Sequence, residues 1–119
     1  MTLIRSELIG FGHYLPAKVL TNDDMAKMVE TNDEWISTRT GIKSRHVAAE
    51  NEFTSDISLI AARNALKSAN ISAEDLDLII VATVTTDDTT PSTAAKISGK
   101  LGTKPGCIAT AVSYTHLTL

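Results

Sequence analysis

The run Leu76-Asp-Leu-Ile-Ile-Val-Ala-Thr-Val84 constrains the fold more than any other stretch of the chain. It is short, almost continuously apolar and rich in β-branched residues, a pattern that predicts a strand covered on both faces, as in a parallel sheet. Helical patterns stand on either side of it. Upstream, Thr54 or Ser55 with Asp56 in the first turn starts the longest helix, which runs to about Asn70 with Ile57, Ile60, Ala61, Ala65, Leu66 and Ala69 as its buried stripe. Asn70 is suited to a left-handed cap, and Ser72-Ala-Glu-Asp75 reads as a capping-type turn. Downstream, Pro91 suits a first helical position, the helix Ser92 to Leu101 stops at Gly102, and Gly106-Cys107-Ile108-Ala109 opens another strand.

With the N-terminal third, the order is strand, helices, long helix, strand, helix, strand. This is an α/β chain with helices layered on a sheet. Its 119 residues suit one compact unit or a piece of a larger one. Only 4% of the residues are aromatic against 43% hydrophobic, so the core must be built from Ile, Leu, Val and Ala. A net charge of -3 argues against a general nucleic-acid binder, whose phosphate contacts need a surplus of cations. The single cysteine excludes an internal disulfide and a Cys-cluster zinc site, and it fits a reducing cytoplasm. The first apolar run, Leu8 to Leu15, is broken by Gly10, Gly12 and His13, so no secretory leader is expected. No apolar stretch approaches the length that spans a membrane. His13, His46 and His116 have no metal-ligand spacing, among themselves or with Cys107.

Residues 3 to 15 read as a strand with close backbone approach at Gly10 and Gly12, ended by Pro16. Gly10-Phe-Gly12 is not a dinucleotide loop, because the third glycine is missing and Tyr-Leu-Pro follows where a helix should begin. Thr21-Asn-Asp-Asp24 has the chemistry of a helix start, and a short helix is expected through Met25, Met28 and Val29. Thr31 and Asn32 break it and cap a second helix carrying Trp35, the only tryptophan; Gly41 then permits a tight exit into the basic segment Lys43 to His46. A tryptophan beside arginines at a helix end is able to receive a nucleotide, the ring stacking on a base and the guanidinium groups pairing with phosphates. Packing of Trp35 in a core, with Arg39 in a surface ion pair, accounts for the same residues. Asp23, Asp24, Asp33 and Glu34 read as helix-start acids, and Asp87 and Asp88 as solvated loop residues.

Taken together, Gly10-Phe-Gly-His-Tyr-Leu-Pro16, Thr21-Asn22, Thr31-Asn-Asp-Glu-Trp-Ile-Ser-Thr-Arg-Thr-Gly-Ile42 and Arg45-His46 resemble the N-terminus of the β-ketoacyl-acyl carrier protein synthase III family. Leu-Ile-Ile-Val-Ala-Thr83, Pro91-Ser92 and Gly106-Cys107 follow in the family's order and spacing, so the likeness covers about residues 2 to 109. The resemblance implies a thiolase-like fold, of which this chain is a partial N-terminal half in a layered α/β/α arrangement. It also implies a cytoplasmic homodimer that condenses acyl-CoA with malonyl-acyl carrier protein to start fatty acid synthesis, with no permanently bound cofactor. Chemically, a cysteine thiolate near a helix N-terminus takes the acyl group as a thioester, and a histidine and an asparagine assist decarboxylation of the malonyl group. By the same resemblance Trp35 meets the adenine of coenzyme A, with Arg39 near its phosphates and Thr31 beside the ring. Thr83 to Pro91 approach the dimer contact and the acyl pocket, and Thr90 stands where some members carry a phenylalanine. Related condensing enzymes of quinolone or polyketide assembly, and a non-catalytic CoA-binding or dimerisation module, are the alternatives.

After Ala109 the chain departs from the family pattern. In place of a phenylalanine-aspartate strand end and the nucleophile in an Ala-Ala-Cys context, it reads Thr110-Ala-Val-Ser-Tyr-Thr-His-Leu-Thr-Leu119. His116 falls at the nucleophile's place and cannot hold an acyl thioester, while Cys107 matches the family's earlier structural Gly-Cys. Residues 1–109 are therefore expected to form an incomplete condensing-enzyme domain, and residues 110–119 a non-native tail. The nucleophile, the histidine and the asparagine are all lacking, so the chain is expected to be inactive.

Overall fold

The computed structural model describes residues 4–112. These fall into two compact units, Leu15–Glu52 and the chain before and after it.

The Leu15–Glu52 unit is built on a short antiparallel ladder, β1 (Lys18–Thr21) with β2 (Ser44–Val47), in which Val19 lies opposite His46. Between the two strands come helices α1 (Asn22–Ala26) and α2 (Asp33–Thr40). Thr21 caps α1 as its sequence suggests: its hydroxyl accepts from the Asp24 N–H at 3.2 Å, and Asp24 Oδ2 accepts from the Thr21 N–H at 3.1 Å. The helix stops at Ala26, short of the expected Val29, because Met28 and Val29 remain exposed and gain nothing from prolonging it. The basic segment Lys43 to His46, given no secondary structure from its sequence, is largely strand. At four polar residues it carries no apolar alternation that would announce it.

In the other unit, residues 4–14 do not form the strand expected over residues 3 to 15; among the described residues they have no ladder partner. They run along α3 (Thr54–Ala69), and the glycines are what permit it. A Cβ at Gly12 would lie 2.3 Å from the Ala65 nitrogen and 2.5 Å from the Ala61 carbonyl, and one at Gly10 would lie 2.7 Å from the Ala69 nitrogen. Asn64 adds a hydrogen bond from its amide to the His13 carbonyl at 3.0 Å. The close approach read from the two glycines is thus real, with a helix as its counterpart. α3 ends at Asn70, which adopts φ 55° and donates its N–H to the Leu66 and Lys67 carbonyls.

A single 3₁₀ turn, Ala73–Asp75, capped by Ser72, leads into β3 (Leu78–Ala82). The chain then crosses through α4 (Thr93–Leu101) to β4 (Ile108–Val112), which pairs with β3 in parallel, Ile80 opposite Thr110. Thr93, not Pro91, is the first helical position of α4: Ser92 is the cap, accepting from the Ala95 N–H at 3.2 Å, and Pro91 precedes it after a cis peptide bond. The strand pairing runs on through Val112, so Thr110, Ala111 and Val112 share the ladder, while 113–119 and with them His116 lie outside the described residues.

Ala94 and Ile97 on α4 are the buried apolar side chains among the described residues of this unit. β3 alternates strictly: Ile79 and Val81 turn toward the helices, and Leu78, Ile80 and Ala82 face outward. Two-sided cover, expected from the apolar run, is therefore corrected to one-sided cover, with Ile80 60% and Ile108 63% exposed. Ile60, expected on the buried stripe of α3, is also exposed. An open gap of about 280 Å³ also remains beside α3 and β3, bounded by Ser58, Ala61, Ala62, Ile97 and residues 79–82.

The purified chain is accordingly expected to bind a hydrophobic dye strongly and to self-associate; a monodisperse monomer with a sharp cooperative melt would contradict this. Gly12→Ala is expected to drive residues 4–14 off α3, read as faster limited proteolysis within that segment. Cleavage at the unsubstituted rate would show that the contact has room to spare.

Candidate coenzyme-binding site

Helix α2 places Trp35 and Arg39 one turn apart on one face. Asn32 sets its start, its side-chain oxygen accepting from the Trp35 N–H at 2.8 Å, and Gly41 ends it with φ 71°, donating to the Ser37 carbonyl at 2.9 Å. The Arg39 guanidinium carbon stands 4.4 Å from the centroid of the Trp35 ring, a cation–π contact. Trp35 remains 53% exposed, and α2 buries none of its residues fully, so this tryptophan is not held in a core. An open groove of about 300 Å³ is bounded by Asn32, Glu34, Trp35, Thr38 and Arg39.

Of the three residues singled out in the sequence, Trp35 and Arg39 come together at this groove. Thr31 does not line it; its hydroxyl is buried without a hydrogen-bond partner, one residue before the cap. The other cations of the stretch are committed elsewhere. Lys43 pairs with Asp33 at 3.3 Å, and Arg45 donates to the Thr21 carbonyl at 3.1 Å and to Asn22 Oδ1 at 2.6 Å. Arg39 is thus the cation at the groove, opposed by Glu34, and among the described residues it forms no ion pair.

Asn22, read from the sequence only as part of a helix start and of the family motif, has a structural role that the sequence did not announce. It is 1% exposed, and its amide nitrogen donates to Asp33 Oδ1 at 2.7 Å and to the Ile42 carbonyl at 2.8 Å. Sequence separations of 11 and 20 residues carried no local signal for either bond.

A second polar cluster joins the loop after β3 to the start of α3. Thr54 Oγ1 donates to the Thr85 carbonyl at 2.5 Å and the Ser55 N–H to Asp87 Oδ1 at 2.9 Å. Lys96 pairs with Asp87 and Asp88, and Lys100 with Asp56 at 2.7 Å. Asp87 was expected as a solvated loop residue, whereas its side chain is only 5% exposed. Burial pushes its carboxyl up most strongly, but the hydrogen bonds from Ser55 and the Lys96 ammonium together outweigh that and hold it below its ordinary value. Cys107 is half-buried, its Sγ 3.8 Å from the Ile108 carbonyl. Among the described residues no three His, Cys, Asp or Glu side chains gather as a metal site requires, and no helix is long and apolar enough to cross a membrane.

The Asp33 carboxyl is held below its usual range, first by the Asn22 amide, then by Ser37 and Lys43. A lowered folded-state value means that the anchoring is complete above the ordinary carboxylate value of about 3.9 and fades as pH falls through the lower, folded one. The near-UV circular dichroism of Trp35 is therefore expected to stay flat from pH 7 to about 4 and to collapse below it. Asp33→Asn should remove that step; persistence of the step in this variant would assign it to another group.

Comparison with known proteins gives a consistent result. No family model matches the chain. A β-ketoacyl-acyl-carrier-protein synthase III from Hyphomonas neptunium is 57% identical over 102 residues, 86% of this chain and 32% of that protein. The crystal structure of 3-oxoacyl-acyl-carrier-protein synthase III from Aquifex aeolicus superposes with a TM-score of 0.82 at 48% identity, covering 89% of this chain and 34% of that one. The priming β-ketosynthase of the R1128 polyketide biosynthetic pathway gives 0.80 at 30% identity, covering 90% and 32%. This chain spans about a third of the length of the curated relatives it matches. In sequence and in thiolase-like α/β fold, it matches about a third of the length of β-ketoacyl-acyl carrier protein synthase III proteins.

Proposed function

We propose that this chain is the coenzyme-binding part of an acyltransferase that condenses acyl-CoA with malonyl-acyl carrier protein to start fatty acid synthesis. The observation that carries the reading is the half-exposed Trp35, stacked on one face by Arg39 at the edge of an open groove. An adenine can stack on an indole, and a guanidinium so placed can turn from the ring to a phosphate oxygen. Thr31 supports the base only if its buried hydroxyl turns outward. Thr83 to Pro91, fixed through Asp87, would shape the acyl pocket and meet the second subunit of a cytoplasmic homodimer, and Thr90 would leave room there for a longer or branched acyl chain.

The residues that act on the bound donor are not supplied by this sequence. Cys107 stands at the entry to β4, with its Sγ against the Ile108 carbonyl, and residues 108–119 contain no further cysteine to accept an acyl group. The chain itself therefore binds the donor without condensing it, and residues 110–119 add no catalytic group. A second reading, a condensing enzyme of polyketide assembly, draws support from the likeness to the R1128 priming ketosynthase.

Titrating the chain with coenzyme A while following Trp35 fluorescence is expected to give a saturable change. Arg39→Ala should weaken it about tenfold, the scale of one desolvated cation–π or phosphate contact, and Trp35→Phe should abolish the signal while calorimetry reports weakened binding. Absence of saturable binding would reject the reading. With acyl-CoA and malonyl-acyl carrier protein no turnover is expected; turnover abolished by a substitution within this chain would overturn the claim of inactivity.

A further inference from the structure

Helix α2 has eight residues, too few to be stable through its own hydrogen bonds, and it buries none of them fully. Something outside the helix must hold it. The Asn22 side chain reaches both of its ends: Asp33 is the first residue of α2, and Ile42 follows the Gly41 cap. Its oxygen is occupied in turn by Arg45 of β2, so the amide joins the helix to the ladder. Only an amide of this length meets all three demands. A carboxylate would set its oxygens against Asp33 and the Ile42 carbonyl, and an aliphatic side chain would leave a carboxylate, a carbonyl and a guanidinium without their partner.

We propose that Asn22 is the positioning residue of the nucleotide face, clamping both ends of α2 so that Trp35 and Arg39 stay stacked beside an open groove. The inference rests on α2 being the coenzyme-binding element. The amide touches no ligand. It acts by fixing the angle at which the indole and the guanidinium are presented, and its loss lowers affinity through the order of α2.

The test uses the full chain with coenzyme A as the probe. Asn22→Ala is expected to speed amide exchange at Trp35 to Gly41 at least tenfold with exchange in α3 unchanged, to weaken the near-UV dichroism of Trp35, and to raise the Kd for coenzyme A at least tenfold. Exchange and Kd both within twofold of the unsubstituted chain would overturn the proposal. Should Asn22→Ala not fold, Asn22→Asp decides, alone and combined with Asp33→Asn. The single change pits two carboxylates against each other; the combination restores an amide–carboxylate pair at position 33 and the bond from Arg45, but not the donation to the Ile42 carbonyl. Recovery of amide protection in the first turn of α2, with Gly41 and Ile42 still exchanging fast, is expected of the combined variant, and no recovery in the first turn overturns the clamp. If the unsubstituted chain binds no coenzyme A while Asn22→Ala still loosens α2, the nucleotide reading falls and the clamp stands.

Discussion

Contact of α4 with the paired strands β3 and β4 is the interaction on which the larger unit depends. Ala94 and Ile97 are buried there, while the open side of the same sheet leaves Leu78, Ile80 and Ile108 in contact with water. The sequence of β3 is written for apolar surroundings on both sides, and the described residues provide them on one. Alanines along α3 let helices approach closely, yet they also leave gaps that no larger side chain fills. The hydrophobic driving force encoded in these strands is thus greater than the burial this chain achieves.

The Leu15–Glu52 unit is held differently. It buries one polar side chain, Asn22, and organises around the hydrogen bonds of that side chain instead of an apolar core. A buried amide with every strong bond satisfied specifies geometry more sharply than an aliphatic contact, because misalignment leaves polar groups unpaired. That specificity suits a helix whose exposed face carries Trp35 and Arg39.

Much of the fold was legible. Thr21, Asn32 and Gly41, like Asn70, Ser92 and Gly102, sit at helix ends because their chemistry acts within a few residues. The parallel pairing of the apolar run was also readable from its composition. Less legible were β1 and β2, whose polar residues carry no alternation, and residues 4–14, whose glycines announce a close approach without naming its partner. Trp35 and Arg39 stood out by type and spacing. Asp87 and Asn22 did not, since a loop aspartate and a helix-start asparagine look the same in sequence whether solvated or buried.

By itself the sequence determined the resemblance to the family, the capping residues of most helices and the spacing of Trp35 and Arg39, because each rests on local chemistry or on an ordered set of motifs. Tertiary structure alone decided that Trp35 is exposed instead of packed, that Arg39 stacks on it while Lys43 and Arg45 are engaged elsewhere, and that one buried amide spans both ends of α2. Those outcomes depend on which distant groups compete for the same partner. Such competition is settled only when the chain brings residues 22, 33, 42 and 45 within hydrogen-bond reach.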